Sequence, residues 1–91
     1  GERIGAVVSR GGRPDLAAPL LDQVQAPTLL IVGGEDHEVL LLNREALDLL
    51  TAPKALTVVP GATHLFEEPG TMDQVIALAT NWFKTHLTPP S

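Results

Sequence analysis

The sequence predicts an α/β domain in which three parallel strands alternate with three helices, in the order βαβαβα. Three observations predict it. Short apolar runs recur at residues 4–8, 28–32 and 56–59, each followed closely by glycine or proline. None of the runs alternates apolar with polar residues, as a half-exposed antiparallel strand would, so each reads as a strand buried on both faces. The gaps between and after them carry segments of helical character.

The first strand, I-G-A-V-V at 4–8, leads into Ser9, Arg10, Gly11 and Gly12. A short helix is expected over 15–24, with Pro19 shortening or bending it unless it falls in the first turn. The second strand, T-L-L-I-V at 28–32, stops at Gly33-Gly34. The helix that follows, over 39–50, is rich in leucine and alanine around much of its circumference, which predicts deep burial. Pro53 marks its end. The third strand, L-T-V-V at 56–59, stops at Pro60-Gly61. In the last helix Met72, Val75, Ile76, Ala79, Trp82, Phe83 and Leu87 recur at three- and four-residue spacing and read as one core-facing stripe. Thr71 with Gln74 fits a capping box, and Asp73 suits the positive end of the helix dipole. Thr-Pro-Pro-Ser at 88–91 reads as a tail beyond a single domain that runs from Ile4 to about Leu87.

Composition narrows the function classes. Ninety-one residues with 44% apolar and 19% charged side chains make a folding chain rather than a disordered one. A chain of this length buries only about two-thirds of its unfolded surface, so its core is thin. With no cysteine there is no disulfide framework and no thiolate metal site. A net charge of −5 argues against nucleic acid and anionic membrane as partners. The expectation is a cytoplasmic protein with no cofactor, since no apolar run approaches the roughly 20 residues of a membrane span.

In a parallel sheet, ligands gather outside the carboxyl ends of the strands. The second strand is followed by Gly33-Gly34-Glu35-Asp36-His37, the third by Gly61-Ala62-Thr63-His64-Leu65-Phe66. Asp36 and His64 thus take matching places at the ends of neighbouring strands, which run about 4.8 Å apart. A carboxylate that accepts the Nδ1–H of a histidine fixes its tautomer and stabilises the imidazolium formed when the ring takes a proton. The two residues read as an acid and base that require a nucleophile. The alternatives are an N-cap role for Asp36 on the following helix and a half-buried, backbone-bonded histidine for His64.

These residues resemble a family. Gly33-x-x-Asp36-x-x-Val39, then Gly61-x-x-His64-x-Phe66 ahead of a final helix, is similar to the C-terminal portion of α/β-hydrolases, closest to the dienelactone hydrolase-like group. A-V-V-S-R-G-G-R-P-D-L-A at 6–17 resembles the sixth strand and following loop of bacterial members, so the likeness runs from Ile4 to about Leu87. The resemblance implies the C-terminal half of a hydrolase sheet, with Asp36 as acid and His64 as base in an ester- or lactone-hydrolysing triad. It also implies a nucleophile elbow before Ile4, and no G-x-S-x-G stands in these residues.

Within the chain Ser9 is the candidate nucleophile. Ser9-x-Gly11 forms half an elbow, but Val7 stands two residues before it where a tight turn needs glycine; the alternative is a strand-end hydroxyl bonded to nearby backbone. Arg10 and Arg13, with Gly11 and Gly12 between them, could cradle an anion. A metal role for His37 with Glu35, Asp36 and His64 lacks any H-x-H or H-E-x-x-H spacing. Two further function classes stand beside the hydrolase. One is a non-catalytic module that self-associates as a homodimer or higher oligomer through an open sheet edge. The other is a small anion-binding domain.

Overall fold

The computed structural model describes residues 6–12 and 26–87. The helix expected over 15–24, Arg13, Ile4 and the 88–91 tail lie outside the described residues. Within them the elements are β1 (Val7–Arg10), β2 (Thr28–Gly33), α1 (His37–Leu49), β3 (Lys54–Val59) and α2 (Thr71–His86). The strands form one parallel sheet in the order β1-β2-β3, with Val7 opposite Thr28 and Gly33 opposite Val59. This is the α/β architecture expected, with corrected limits. β1 runs on through Ser9 and Arg10, because both continue the ladder opposite Leu30 and Ile31. β3 begins at Lys54, two residues before the apolar run, because Thr28 and Leu29 extend its pairing.

β2 is buried along all six residues, as an aliphatic strand with neighbours on both sides and helices on both faces must be. Its alternation splits the core. Leu29 and Ile31 join Val59, Ala62, Phe66 and Val75 beneath α2, with Val8, Ala55, Met72, Leu78 and Trp82 packed around them. Leu30 faces the other way, onto Ala46 and Leu50 of the α1 side.

α1 starts two residues earlier than its apolar pattern, so His37 is helical rather than a loop residue. It ends at Leu49, where the N–H of Leu50 still reaches the carbonyl of Ala46 and Lys54 Nζ donates to the carbonyl of Leu47 at 2.6 Å. Its burial is shallower than the leucine content suggests. Leu41 and Leu49 are exposed, whereas the polar Asn43 is wholly buried.

α2 departs from expectation in two ways. The capping box does not form. Gly70, in the left-handed region at φ 82°, holds the N-cap position, and Thr71 lies inside the helix with its hydroxyl donating back to the carbonyl of Glu68 at 2.8 Å. The apolar stripe is also only partly packed among the described residues. Met72, Val75, Leu78 and Trp82 pack on the core, while Ile76, Phe83 and Leu87 sit on the helix shoulder in solvent. Trp82 Nε1 donates to the carbonyl of Pro27 at 3.2 Å, and the same carbonyl takes the N–H of Val7. That carbonyl ties the last helix to the lower end of the sheet.

Candidate active site

The acid loop follows β2 and is built by backbone contact. Gly33 packs so closely that a methyl group on it would fall 2.3 Å from the carbonyl oxygen of Ala62. No residue other than glycine fits there without a shift. The close approach lets the two loops bond directly: Gly34 N–H donates to Val59 O at 2.8 Å, and Glu35 N–H to Ala62 O at 2.9 Å. Asp36 then sits at the N-cap position of α1. Its carbonyl takes the N–H of Leu40, but its carboxylate makes no capping bond.

That carboxylate goes instead to the histidine. His64 Nδ1 lies 2.8 Å from Asp36 Oδ2. An ionised carboxylate only accepts, so Nδ1 carries the hydrogen and Nε2 is left with its lone pair outward. The acid is screened and the base is open: the Asp36 side chain is 15% exposed and that of His64 55%. A half-buried carboxylate behind an accessible imidazole is an arrangement that suits a general base. Asp36 thus holds the N-cap position through its backbone while its carboxylate goes to His64, and the His64 ring bonds to that carboxylate rather than to backbone. On its other flank the His64 ring lies against Gly11, the residue after β1. A methyl group there would come 3.4 Å from His64 Nδ1 and Cε1.

The base loop is held by side chains. Phe66 N–H donates to Thr63 O at 3.1 Å, which makes His64 and Leu65 the two exposed central residues of a turn. Phe66 closes the turn at φ 55°, a left-handed conformation that costs a non-glycine residue roughly 1–2 kcal/mol. Its ring is buried in the α2-side core, and burial of a phenylalanine, at about 1.5–3 kcal/mol, offsets that strain. At the front of the turn, Glu68 accepts the Thr63 N–H at 3.0 Å and the Thr63 hydroxyl at 2.7 Å. The hydroxyl first, then the amide, holds the Glu68 carboxyl below its ordinary value of 4.5.

The remaining candidates are placed as follows. Ser9 lies on the α1 side of the sheet, tucked so that a methyl on Gly12 would fall 2.6 Å from its Oγ. His64 lies against Gly11 and bonds to Asp36; no hydrogen bond joins Ser9 and His64 among the described residues. Arg10 points to the α2 side, where its guanidinium donates to Met72 Sδ at 3.4 Å and lies 5.9 Å from the centre of the Phe66 ring. The Gly11 amide, which an anion cradle would use, donates to Ile31 O at 2.7 Å. His37 pairs with Glu35 at 3.0 Å, apart from the Asp36–His64 bond. Among the described residues no group of three or more His, Asp or Glu is placed to hold a metal ion. No helix among them is long and apolar enough to cross a membrane.

A dienelactone hydrolase of known crystal structure, from Anabaena variabilis, superposes on the chain with a TM-score of 0.88 and 56% identity, covering 89% of this chain and 38% of its own. The chain shares the hydrolase fold. No family model matches it. Two curated relatives, from the CDC 1551 and H37Rv strains of Mycobacterium tuberculosis and each named "Putative phosphoribosyl transferase", are 62% identical to it over 87 residues. The match takes in 96% of this chain but only 20% of theirs, so the chain spans about one fifth of the curated relatives.

Within this hydrolase-type sheet the structure adds residues that sequence reasoning passed over. Glu68 lies in the polar Glu67-Glu68-Pro69-Gly70 stretch, and its partner Thr63 is five residues back with no periodicity to mark it. Asn43 is buried in α1, where Nδ2 donates to Gly12 O at 3.1 Å and to Val39 O at 2.8 Å. It thereby pins the loop against which the His64 ring rests. Its Oδ1 is buried without a partner. A lone asparagine in a leucine-rich helix carries no such signal.

Proposed function

We propose that this chain supplies the acid, Asp36, and the base, His64, of a nucleophile–His–Asp hydrolase that acts on a small ester or lactone. The observation that carries the reading is the 2.8 Å bond between the screened Asp36 carboxylate and the exposed His64 ring. Nε2 takes the proton of an attacking hydroxyl or thiol as it adds to the carbonyl carbon. Asp36 stabilises the imidazolium, which then gives the proton to the leaving alkoxide. The 56% identity to a dienelactone hydrolase supports the substrate class. The nucleophile is a residue outside the 91, as the resemblance implies, and Ser9 is the fallback within them. On this reading the chain alone is a weak esterase at most.

The name of the mycobacterial relatives fits the same picture. Eighty-seven residues at 20% coverage make each relative about 435 residues long, while 89% of this chain at 38% coverage makes the dienelactone hydrolase about 210. Such a relative has room for a hydrolase unit beside another of similar size, to which phosphoribosyl transfer would belong. Assembly is a second reading, carried by a different observation. No described strand lies on the outer side of β1, and Ile76, Phe83 and Leu87 stand exposed on α2.

The test is hydrolysis of an activated ester by the full-length protein. His64→Ala is expected to lower kcat by roughly 10³-fold or more, with Asp36→Asn close behind. Ester hydrolysis unchanged in His64→Ala would end the catalytic reading. Sedimentation at micromolar concentration tests assembly, and a stable monomer would reject it.

A further inference from the structure

The Thr63–Glu68 contact lies beside the base but touches neither the acid nor the ring. We infer that Glu68 is a positioning residue, clamping the front of the His64 turn so that the ring stays within reach of Asp36. The inference rests on the hydrolase reading for its consequence in catalysis, though not for its geometry.

The turn has two ends and an exposed middle. His64 and Leu65 are both in solvent, so their own packing does not fix them. The rear end is Phe66, anchored in the core. The front end is Thr63, whose backbone is seated beside Gly33, where a methyl group would fall 2.9 Å from the Thr63 carbonyl oxygen, but whose side chain is exposed and not held by packing. Glu68 receives both the amide and the hydroxyl of Thr63, one on each carboxylate oxygen, at 3.0 and 2.7 Å. This two-point grip holds the amide and the hydroxyl of Thr63, the residue just before His64, while Glu35 N–H takes the carbonyl of the same Ala62–Thr63 peptide unit at 2.9 Å. Bonds to an ionised acceptor are stronger than neutral ones. The downward displacement of the Glu68 carboxyl shows that the grip favours the carboxylate.

The same residue serves α2 through a different atom. The backbone carbonyl of Glu68 accepts the N–H of Thr71 at 3.1 Å and its hydroxyl at 2.8 Å. Replacing the side chain leaves that carbonyl in place. Loss of the clamp is therefore separable from loss of the helix start.

The experiment follows the proton on His64 Nδ1 by NMR in the full chain, assigned by its disappearance in His64→Ala. In Glu68→Ala that resonance should broaden or vanish through exchange with water, while the amide signals of α2 keep their positions. Glu68→Gln should restore it. The glutamine carbonyl accepts the Thr63 N–H, and its amide donates to the Thr63 hydroxyl turned the other way. Thr63→Val, which removes one of the two bonds, should give an intermediate signal, and Thr63→Ser a normal one. In the full-length protein, Glu68→Ala should lower ester-hydrolysis kcat roughly tenfold with KM within about twofold, because a misplaced base slows chemistry more than binding. A His64 Nδ1–H signal unchanged in both Glu68→Ala and Thr63→Val would overturn the inference. An unchanged rate in His64→Ala alongside a signal lost in Glu68→Ala would instead refute the hydrolase reading and keep the clamp.

Discussion

The acid loop and the base loop face each other at the end of one sheet, yet they are built on opposite principles. From Gly33 to Asp36 the main chain does the holding: a flush approach to Ala62 and two amide-to-carbonyl bonds, one to the end of β3 at Val59 and one to Ala62 in the loop after it. From Thr63 to Glu68 side chains do it: a phenyl ring in the core and a carboxylate on the surface. The difference teaches where each half is vulnerable. A backbone joint fails when an atom is added, and a side-chain joint fails when atoms are removed.

Substitutions can break that comparison in order of size. Phe66→Ala deletes the core anchor of the base loop and should cost about 4 kcal/mol by urea unfolding. Gly33→Ala adds one methyl against the Ala62 carbonyl and should cost about 3 kcal/mol, a large penalty for a single carbon. If Gly33→Ala is tolerated without loss, the acid loop is not a backbone joint. Asn43→Ala removes the donor to Gly12 and should cost about 2 kcal/mol. It should also shift the NMR signals of His64 through Gly11, although Asn43 touches neither. His64→Ala, at an exposed turn position, should change stability by less than about 0.5 kcal/mol, so its effect on hydrolysis can be read without a folding correction.

The smallest effect concerns pH. The Glu68 carboxyl is lowered in the folded chain by the Thr63 hydroxyl and amide. Its contribution to stability is thus fully present above its ordinary value of 4.5 and is lost as pH falls through the lower folded value. Urea midpoints for the native chain and Glu68→Gln, taken from pH 6 down to pH 3, should converge in the acid range. Midpoints that diverge there would reverse the sign of the argument. The group is exposed, so solvent screening keeps the effect small.

Much of this architecture was legible in the sequence, because buried parallel strands announce themselves as unbroken aliphatic runs and because the chemistry of such sheets collects at one end. Asp36 and His64 could be paired from their positions alone. The supports were not legible, for physical reasons. Glu68 and Thr63 form a local pair in an irregular turn, where no period applies. Asn43 occupies a helix position that a solvent-facing asparagine would fill as well, and its burial goes with a tertiary contact, the bond to the carbonyl of Gly12. The capping box at Thr71 and Gln74 had the right letters, but the carbonyl of Glu68 takes the threonine hydroxyl and Gly70 turns the chain. The α2 stripe was real in the sequence and only partly used: Met72, Val75, Leu78 and Trp82 pack on the core, and Ile76, Phe83 and Leu87 do not.

The bond from Glu35 N–H to Ala62 O has one more consequence. Main-chain atoms are common to nearly all residues, so a spacing set by them does not register what side chains stand nearby. Leu65, exposed beside the base, and Glu35 or His37, exposed beside the acid, can each be exchanged while the two loops keep their separation. On the hydrolase reading proposed above, selection acting on substrate preference is then free to rewrite the rim of the site without moving Asp36 from His64.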